Sequence, residues 1–184
     1  MDRRVRLGIG TGVVIAAALL TTGAIAEEGK STSGSRGGVV REQLSGFAET
    51  PLALSTTGTG SFRARVNPAG DTITYSLDYS GLEGTITQAH IHVGSPAQSG
   101  GISVFLCTNL GNGPAGTQAC PAAPGGVTGT IQAVDVIGPA AQGIAAGEFT
   151  ELVAAVRAGL TYVNVHSTLY PAGEIRAQLG HHHG

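Results

Sequence analysis

The sequence predicts an all-β domain, an antiparallel sandwich or barrel-like fold with one short helix. Three observations carry that expectation. Short runs that alternate apolar and polar residues recur from about residue 39 onwards. Turn residues separate these runs, in a chain of 184 residues with 30 glycines and 8 prolines. The alternation persists between the glycines, which therefore mark turns and bulges rather than disorder. Only one segment carries a helical period, so helices do not build the layers of the fold.

The elements follow in order. Val40 to Phe47 alternates weakly. Gly60 to Val66 places Phe62, Ala64 and Val66 on one face and Arg63 and Arg65 on the other. Asn67-Pro68-Ala69-Gly70-Asp71 is a turn, because Pro fixes φ and Gly allows positive φ. Thr72 to Tyr79 alternates again, with Ile73, Tyr75, Leu77 and Tyr79 facing one way, so the pair reads as a β-hairpin. Thr85 to Val93 is a further strand, Ile102 to Cys107 is an apolar run of buried-strand type, and Val127 to Val136 suggests another. Phe149, Leu152, Val153 and Val156 follow the i, i+3, i+4, i+7 spacing of a helix over Glu148 to Ala158, with Gly159 as its stop. Thr161 to Ser167 and Glu174 to Leu179 close the domain around the turn Pro171-Ala172-Gly173.

The N-terminus reads as an export signal. Arg3, Arg4 and Arg6 precede the uncharged, largely apolar run Leu7 to Leu20, and Ala24-Ile25-Ala26 is a small-x-small cleavage site. The apolar run is short for a bilayer span of about 20 residues. Residues 1–26 are thus expected to be a signal peptide, 27–38 a Gly/Ser-rich flexible linker, 39–180 the β domain and 181–184 a histidine-rich tail. The expected location is secreted or periplasmic, with no membrane span after cleavage. After Ala26, 11 acidic residues stand against 7 basic ones and Lys30 is the only lysine. No basic run is present, which argues against nucleic acid and anionic membranes as partners. In an oxidising compartment Cys107 and Cys120 are expected to form a disulfide, stabilising by about 2–4 kcal/mol, rather than to serve as thiolate ligands.

His90-Ile91-His92 is the most informative tripeptide. Residues i and i+2 of a strand share a face, so both imidazoles can reach one metal ion. His166 lies in the later strand run Tyr162 to His166, and adjacency of the two strands would make a three-histidine cluster. Imidazole suits copper and zinc, and three nitrogens with an open position recur in metal sites. The plainer alternative is that these histidines are hydrogen-bonded structural residues. Asn164 is expected to bond to backbone at a sheet edge or to orient His92 or His166. Glu174 and Arg176, at i and i+2, are expected to pair with each other or with neighbours, as surface ion pairs do. His181-His182-His183 reads as a tag remnant or a weak adventitious site. No Gly-x-Ser-x-Gly elbow, phosphate-cradling loop or calcium loop is found.

Ala89-His90-Ile91-His92-Val93-Gly94, followed by Tyr162-Val163-Asn164-Val165-His166-Ser167 and Pro171-Ala172-Gly173-Glu174-Ile175-Arg176-Ala177-Gln178-Leu179, resembles the CHRD domain family. That family is named after chordin and is common among exported bacterial proteins. Its patterns are A-H-I-H-x-G and Y-V-N-V-H-T…P-x-G-E-I-R-G-Q-L, and the resemblance covers about residues 40 to 180. Ser167, Tyr170 and Ala177 depart from the pattern and none removes a histidine. The resemblance implies a β-sandwich-like extracellular module with no generally assigned reaction. The H-x-H strand is similar, more remotely, to the copper-binding strand of Cu/Zn superoxide dismutases. Those enzymes need further histidines and an aspartate bridging to zinc, whereas this chain has three histidines before its tail.

The first functional expectation is an exported module that binds a transition metal, copper favoured and zinc the alternative, through His90, His92 and His166, where Cu(II) is available. The second is a structural or adhesive module without metal, meeting cell-envelope or extracellular proteins. The third is a dismutase-like copper redox enzyme, and an enzyme is the less expected class.

Overall fold

The computed structural model describes residues 38–180. The expected signal segment, the linker up to residue 37 and the histidine tail lie outside the described residues. Eight strands follow one another: β1 (Val39–Ser45), β2 (Thr59–Val66), β3 (Ile73–Ser80), β4 (Ile86–Val93), β5 (Ile102–Thr108), β6 (Gly125–Ile131), β7 (Thr161–Ser167) and β8 (Ile175–Leu179). A single α-helix among the described residues, α1 (Phe149–Arg157), lies between β6 and β7. The last expected strand before the helix is shorter than its apolar run. After Ile131 the chain leaves the ladder for a 3-10 turn at Ala133–Asp135, where the Gln132 amide donates to Asp135 Oδ2 at 2.8 Å.

The strands form one antiparallel sheet in the order β5-β4-β7-β8-β1-β2-β3-β6. The β2–β3 hairpin runs in register from Val66↔Ile73 to Thr59↔Ser80, and Gly70 in its turn takes φ +78°. The sheet curls until its edge strands β5 and β6 approach each other, giving a nearly closed barrel. Side chains bridge the remaining seam. Gln118 Nε2 donates to Leu106 O of β5 and to Thr128 O of β6, both at 3.1 Å. An unpartnered edge carbonyl in this position would be costly, so the glutamine stands in for a missing ladder bond. The expected disulfide is present: Cys107, at the end of β5, is bonded to Cys120, just before β6.

The inward-facing residues are the apolar half of each alternation. Phe62, Leu77, Ile91, Leu106, Ile131, Val163, Val165 and Ile175 are almost fully buried, and the apolar stripe of α1, Phe149, Leu152, Val153 and Val156, joins them. The outward faces differ around the sheet. On β1–β3, Arg41, Arg63, Arg65, Thr74 and Asp78 are exposed. On β4, β7 and β8, the outward His90, His92, Tyr162, Asn164, His166 and Arg176 are all buried. All seven residues of β7 are buried, so this strand is covered on both sides. Three connections supply the outer cover: the turn at Glu49–Thr50, the β4–β5 connection Gly94–Gly101, and the β7–β8 turn at Pro171.

Candidate metal centre

The register of β4 and β7 builds the site. His90 is opposite Asn164, His92 is opposite Tyr162 and Gln88 is opposite His166. His90 and His92 share the outward face of β4, and His166 projects from the neighbouring strand onto that face. The expected adjacency is therefore real. Ligand atoms of the three histidines lie within 4.8 Å of one another, and all three residues are buried.

Backbone carbonyls fix two of the rings. His92 Nδ1 lies 2.9 Å from Gly100 O and His166 Nδ1 lies 3.0 Å from Pro171 O. A carbonyl only accepts, so each Nδ1 carries the hydrogen and each Nε2 presents a lone pair. His90 Nδ1 lies 3.1 Å from His166 Nε2 and, given that lone pair, donates to it. His90 Nε2 is then also unprotonated. The Nε2 atoms of His90 and His92 are buried and have no hydrogen-bond partner. The hydroxyls of Ser103 and Thr161 are buried and unpartnered too. The two imidazoles differ in standing beside each other, with ring centroids 5.3 Å apart and a third imidazole next to both.

Burial keeps the imidazoles neutral. It is the leading cause that pushes His90 down to about 2, and the repulsion that His166 and His92 would exert on it once protonated adds to the shift. It also lowers His166 to about 4 against the opposing bond to Pro171, and lowers His92 as well. His92 has the form that ligates metal, a neutral imidazole with a free nitrogen and a carbonyl on its other nitrogen; His166 reaches it when its Nε2 exchanges the bond from His90 for an ion. The residues thus form a cluster capable of coordinating a metal ion.

The surroundings are ordered as a stack. The Tyr162 ring lies parallel to His92, with centroids 4.8 Å apart and 3° between planes. Arg176, from the strand on the other side of β7, holds its guanidinium carbon 3.5 Å from the Tyr162 centroid. Tyr162 also accepts from the Gly100 amide at 3.0 Å, tying the stack to the carbonyl that holds His92. A Cβ on Gly100 would collide with Val93 O, so this close backbone approach requires glycine. Phe105 of β5 stands edge-on to His90 at 4.3 Å.

Asn164 does neither of the things expected of it. Its Nδ2 donates to Glu49 Oε1 at 2.6 Å, a carboxylate contributed by the turn after β1. Burial raises Glu49 to about 7, although Arg176 and Asn164 both favour its charged form. Gly173, with φ +139°, leaves room for this pair, since a Cβ there would strike Asn164 Nδ2 and both Glu49 oxygens. Glu174 and Arg176 are not a surface pair. Glu174 is fully buried and accepts from Glu83 N at 2.6 Å, Thr56 Oγ1 at 2.9 Å and Gly84 N at 3.4 Å. Arg176 is 2 % exposed and donates to Ser95 O and Gln98 O, each at 3.0 Å, and to Thr50 Oγ1. Their strand parity was readable, but the connections that cover them were not.

The model of the CHRD domain matches residues 40–179. The chain belongs to the CHRD family. Comparison with curated proteins and with solved structures gives no match. In this CHRD domain both sequence motifs serve one place: the A-H-I-H-x-G stretch is β4, and the Y-V-N-V-H stretch is β7 beside it. The P-x-G-E-I-R stretch supplies the carbonyl of Pro171, the gap at Gly173 and the cation of Arg176.

Proposed function

We propose that this CHRD domain binds one transition-metal ion, copper before zinc, through His90, His92 and His166, and that it does so outside the cytoplasm. One observation supports this above the rest. The Nε2 atoms of His90 and His92 are buried, unprotonated and without a partner beside His166. A buried polar atom without a partner costs about 1–3 kcal/mol, and an ion accepting those lone pairs removes the cost. A purely structural role accounts for the bonds to Gly100 and Pro171 but leaves these two nitrogens unexplained. Bound copper would bring Lewis acidity and one-electron redox capacity; the protein's part is to hold, orient and dehydrate it. The reading is of a module for binding, storage or delivery rather than an enzyme. The N-terminal signal and the Cys107–Cys120 disulfide support export. Among the described residues no helix is long and apolar enough to cross a membrane.

The test is metal analysis of protein in which His181, His182 and His183 are replaced by serine. One equivalent of copper or zinc is expected, lost on His92→Ala. Absence of stoichiometric metal, with His92→Ala leaving the metal content unchanged, would sink the reading.

A further inference from the structure

We propose that the three-histidine centre selects monovalent over divalent ions, so that its resident species is Cu(I) rather than Cu(II) or Zn(II). The inference rests on the metal-site reading above and goes on to assign the valence. Three features of the site point the same way.

The first is the donor set. Three neutral imidazoles converge, and among the described residues no carboxylate or thiolate joins them in the cluster. The ligands cancel none of the ion's charge. On three protein ligands Zn(II) needs a water or another donor to complete four, and Cu(II) favours tetragonal sets, whereas a d10 Cu(I) ion is satisfied by three nitrogens and needs no water. The second is the medium. His90 is 0 % exposed and its ring meets the edge of Phe105, so a second unit of positive charge would be held away from water.

The third is a fixed cation. Arg176 is buried and anchored by Ser95 O, Gln98 O and Thr50, and only the Tyr162 ring separates its guanidinium from His92. Across about two stacked rings, at an effective dielectric constant of about 20, each extra positive charge on the ion costs roughly tenfold in affinity. Glu49, bonded to Asn164, is the buried acid that faces Arg176 and opposes this field. Glu174 is occupied by Thr56 and the amides of Glu83 and Gly84. The two charged neighbours therefore act with opposite sign and can be tested separately.

The experiment uses the full chain with His181, His182 and His183 replaced by serine. Cu(I), under anaerobic conditions, Cu(II) and Zn(II) are each titrated against a competing chelator. The potential of bound copper is measured alongside. Cu(I) is expected to bind 1:1 at least tenfold more tightly than Cu(II) or Zn(II). The potential should lie above that of the free aqueous couple by about 59 mV for each tenfold preference over Cu(II). Arg176→Met should lower the potential and, at pH 8, where Glu49 is charged, Glu49→Gln should raise it. If Arg176→Met does not fold, Glu49→Gln and the affinity order of the unaltered site still decide the matter. Equal or tighter binding of Cu(II) or Zn(II) overturns the valence assignment while leaving a metal site standing. Failure of all three ions to bind in a His92-dependent way overturns the metal reading itself.

Discussion

Two groups of strands share one core and differ on the side that faces away from it. The outward face of β1–β3 is bare and carries Arg41, Arg63 and Arg65 into solvent. The outward face of β4, β7 and β8 carries histidines, an asparagine, a tyrosine and an arginine, and loops cover it. A bare polar face needs no internal partners, because water supplies them. A covered polar face must supply its own, since each unsatisfied group costs free energy. On the covered face Asn164, Tyr162, Arg176 and one nitrogen of each of His92 and His166 are bonded to groups in the covering loops. The Nε2 atoms of His90 and His92 are left over, beside a His166 Nε2 bonded only to His90. The covering loops turn three ordinary strand positions into a cluster capable of coordinating a metal ion.

The covered face should respond most strongly to the loss of its buried cation. Arg176→Ala leaves the carbonyls of Ser95 and Gln98 without their donor and uncovers one side of the Tyr162 ring. Loss of one partner from such a buried charged network costs about 3–5 kcal/mol. Urea unfolding of the metal-free protein should show a fall of that size. A loss under 1 kcal/mol would mean that the cover over β8 is loose and the face behaves like the bare one.

A second effect distinguishes the faces through pH. The folded chain keeps His90 and His166 unprotonated down to about 2 and about 4, and His92 is shifted the same way, whereas unfolded histidine takes up its proton near 6.5. Below 6.5 the unfolded state binds more protons, so stability falls as pH drops, by up to about 1.4 kcal/mol per pH unit for each histidine. Glu49 works in the opposite direction. Its folded value of about 7 lies above the ordinary 4.5, so between those values it holds a proton that the unfolded chain releases. Three groups against one leave a net loss on acidification. Metal-free protein should lose urea resistance from pH 6.5 to pH 5, and Glu49→Gln should steepen that loss by up to about 1.4 kcal/mol per unit. A slope of the other sign would show that the imidazoles are open to water.

How much of this was legible in the sequence divides along the same line. The hairpin of β2 and β3 was plain because one side faces water, so Phe62, Ile73 and Leu77 alternate with Arg63, Thr74 and Asp78. β7 is buried on both sides, and its alternation sets Val163 and Val165 against Asn164 and His166, which looks like any half-exposed strand. The three histidines were legible because strand periodicity puts His90 and His92 on one face and both motifs could be matched. The groups around them were not. Glu49 lies 115 residues from Asn164, and Ser95 lies 81 from Arg176. Local pattern carries no information across such separations; the sheet order β4-β7-β8 does. The same holds for charge. The sequence has no basic run, and the β1–β2 register sets Arg41 against Arg63.

That pair gives the smallest effect and the cleanest control. Arg63 lies opposite Arg41 on one side and Ser76 on the other, with Arg65 further along the same face. All three arginines are exposed. Like charges directly opposite each other in a sheet destabilise it by about 0.2–1 kcal/mol at most, and exposed charges are largely screened beyond about 10 Å in 0.1 M salt. Arg63→Thr keeps a residue that suits a strand and removes the repulsion. It should raise stability by up to about 0.5 kcal/mol at low salt and by nothing measurable at 1 M, where screening already removes the repulsion. Removing an arginine from the bare face would then stabilise slightly, while removing one from the covered face destabilises several-fold more. A loss above 1 kcal/mol for Arg63→Thr would instead mean that this guanidinium has a partner, and that the bare face is covered as the other one is.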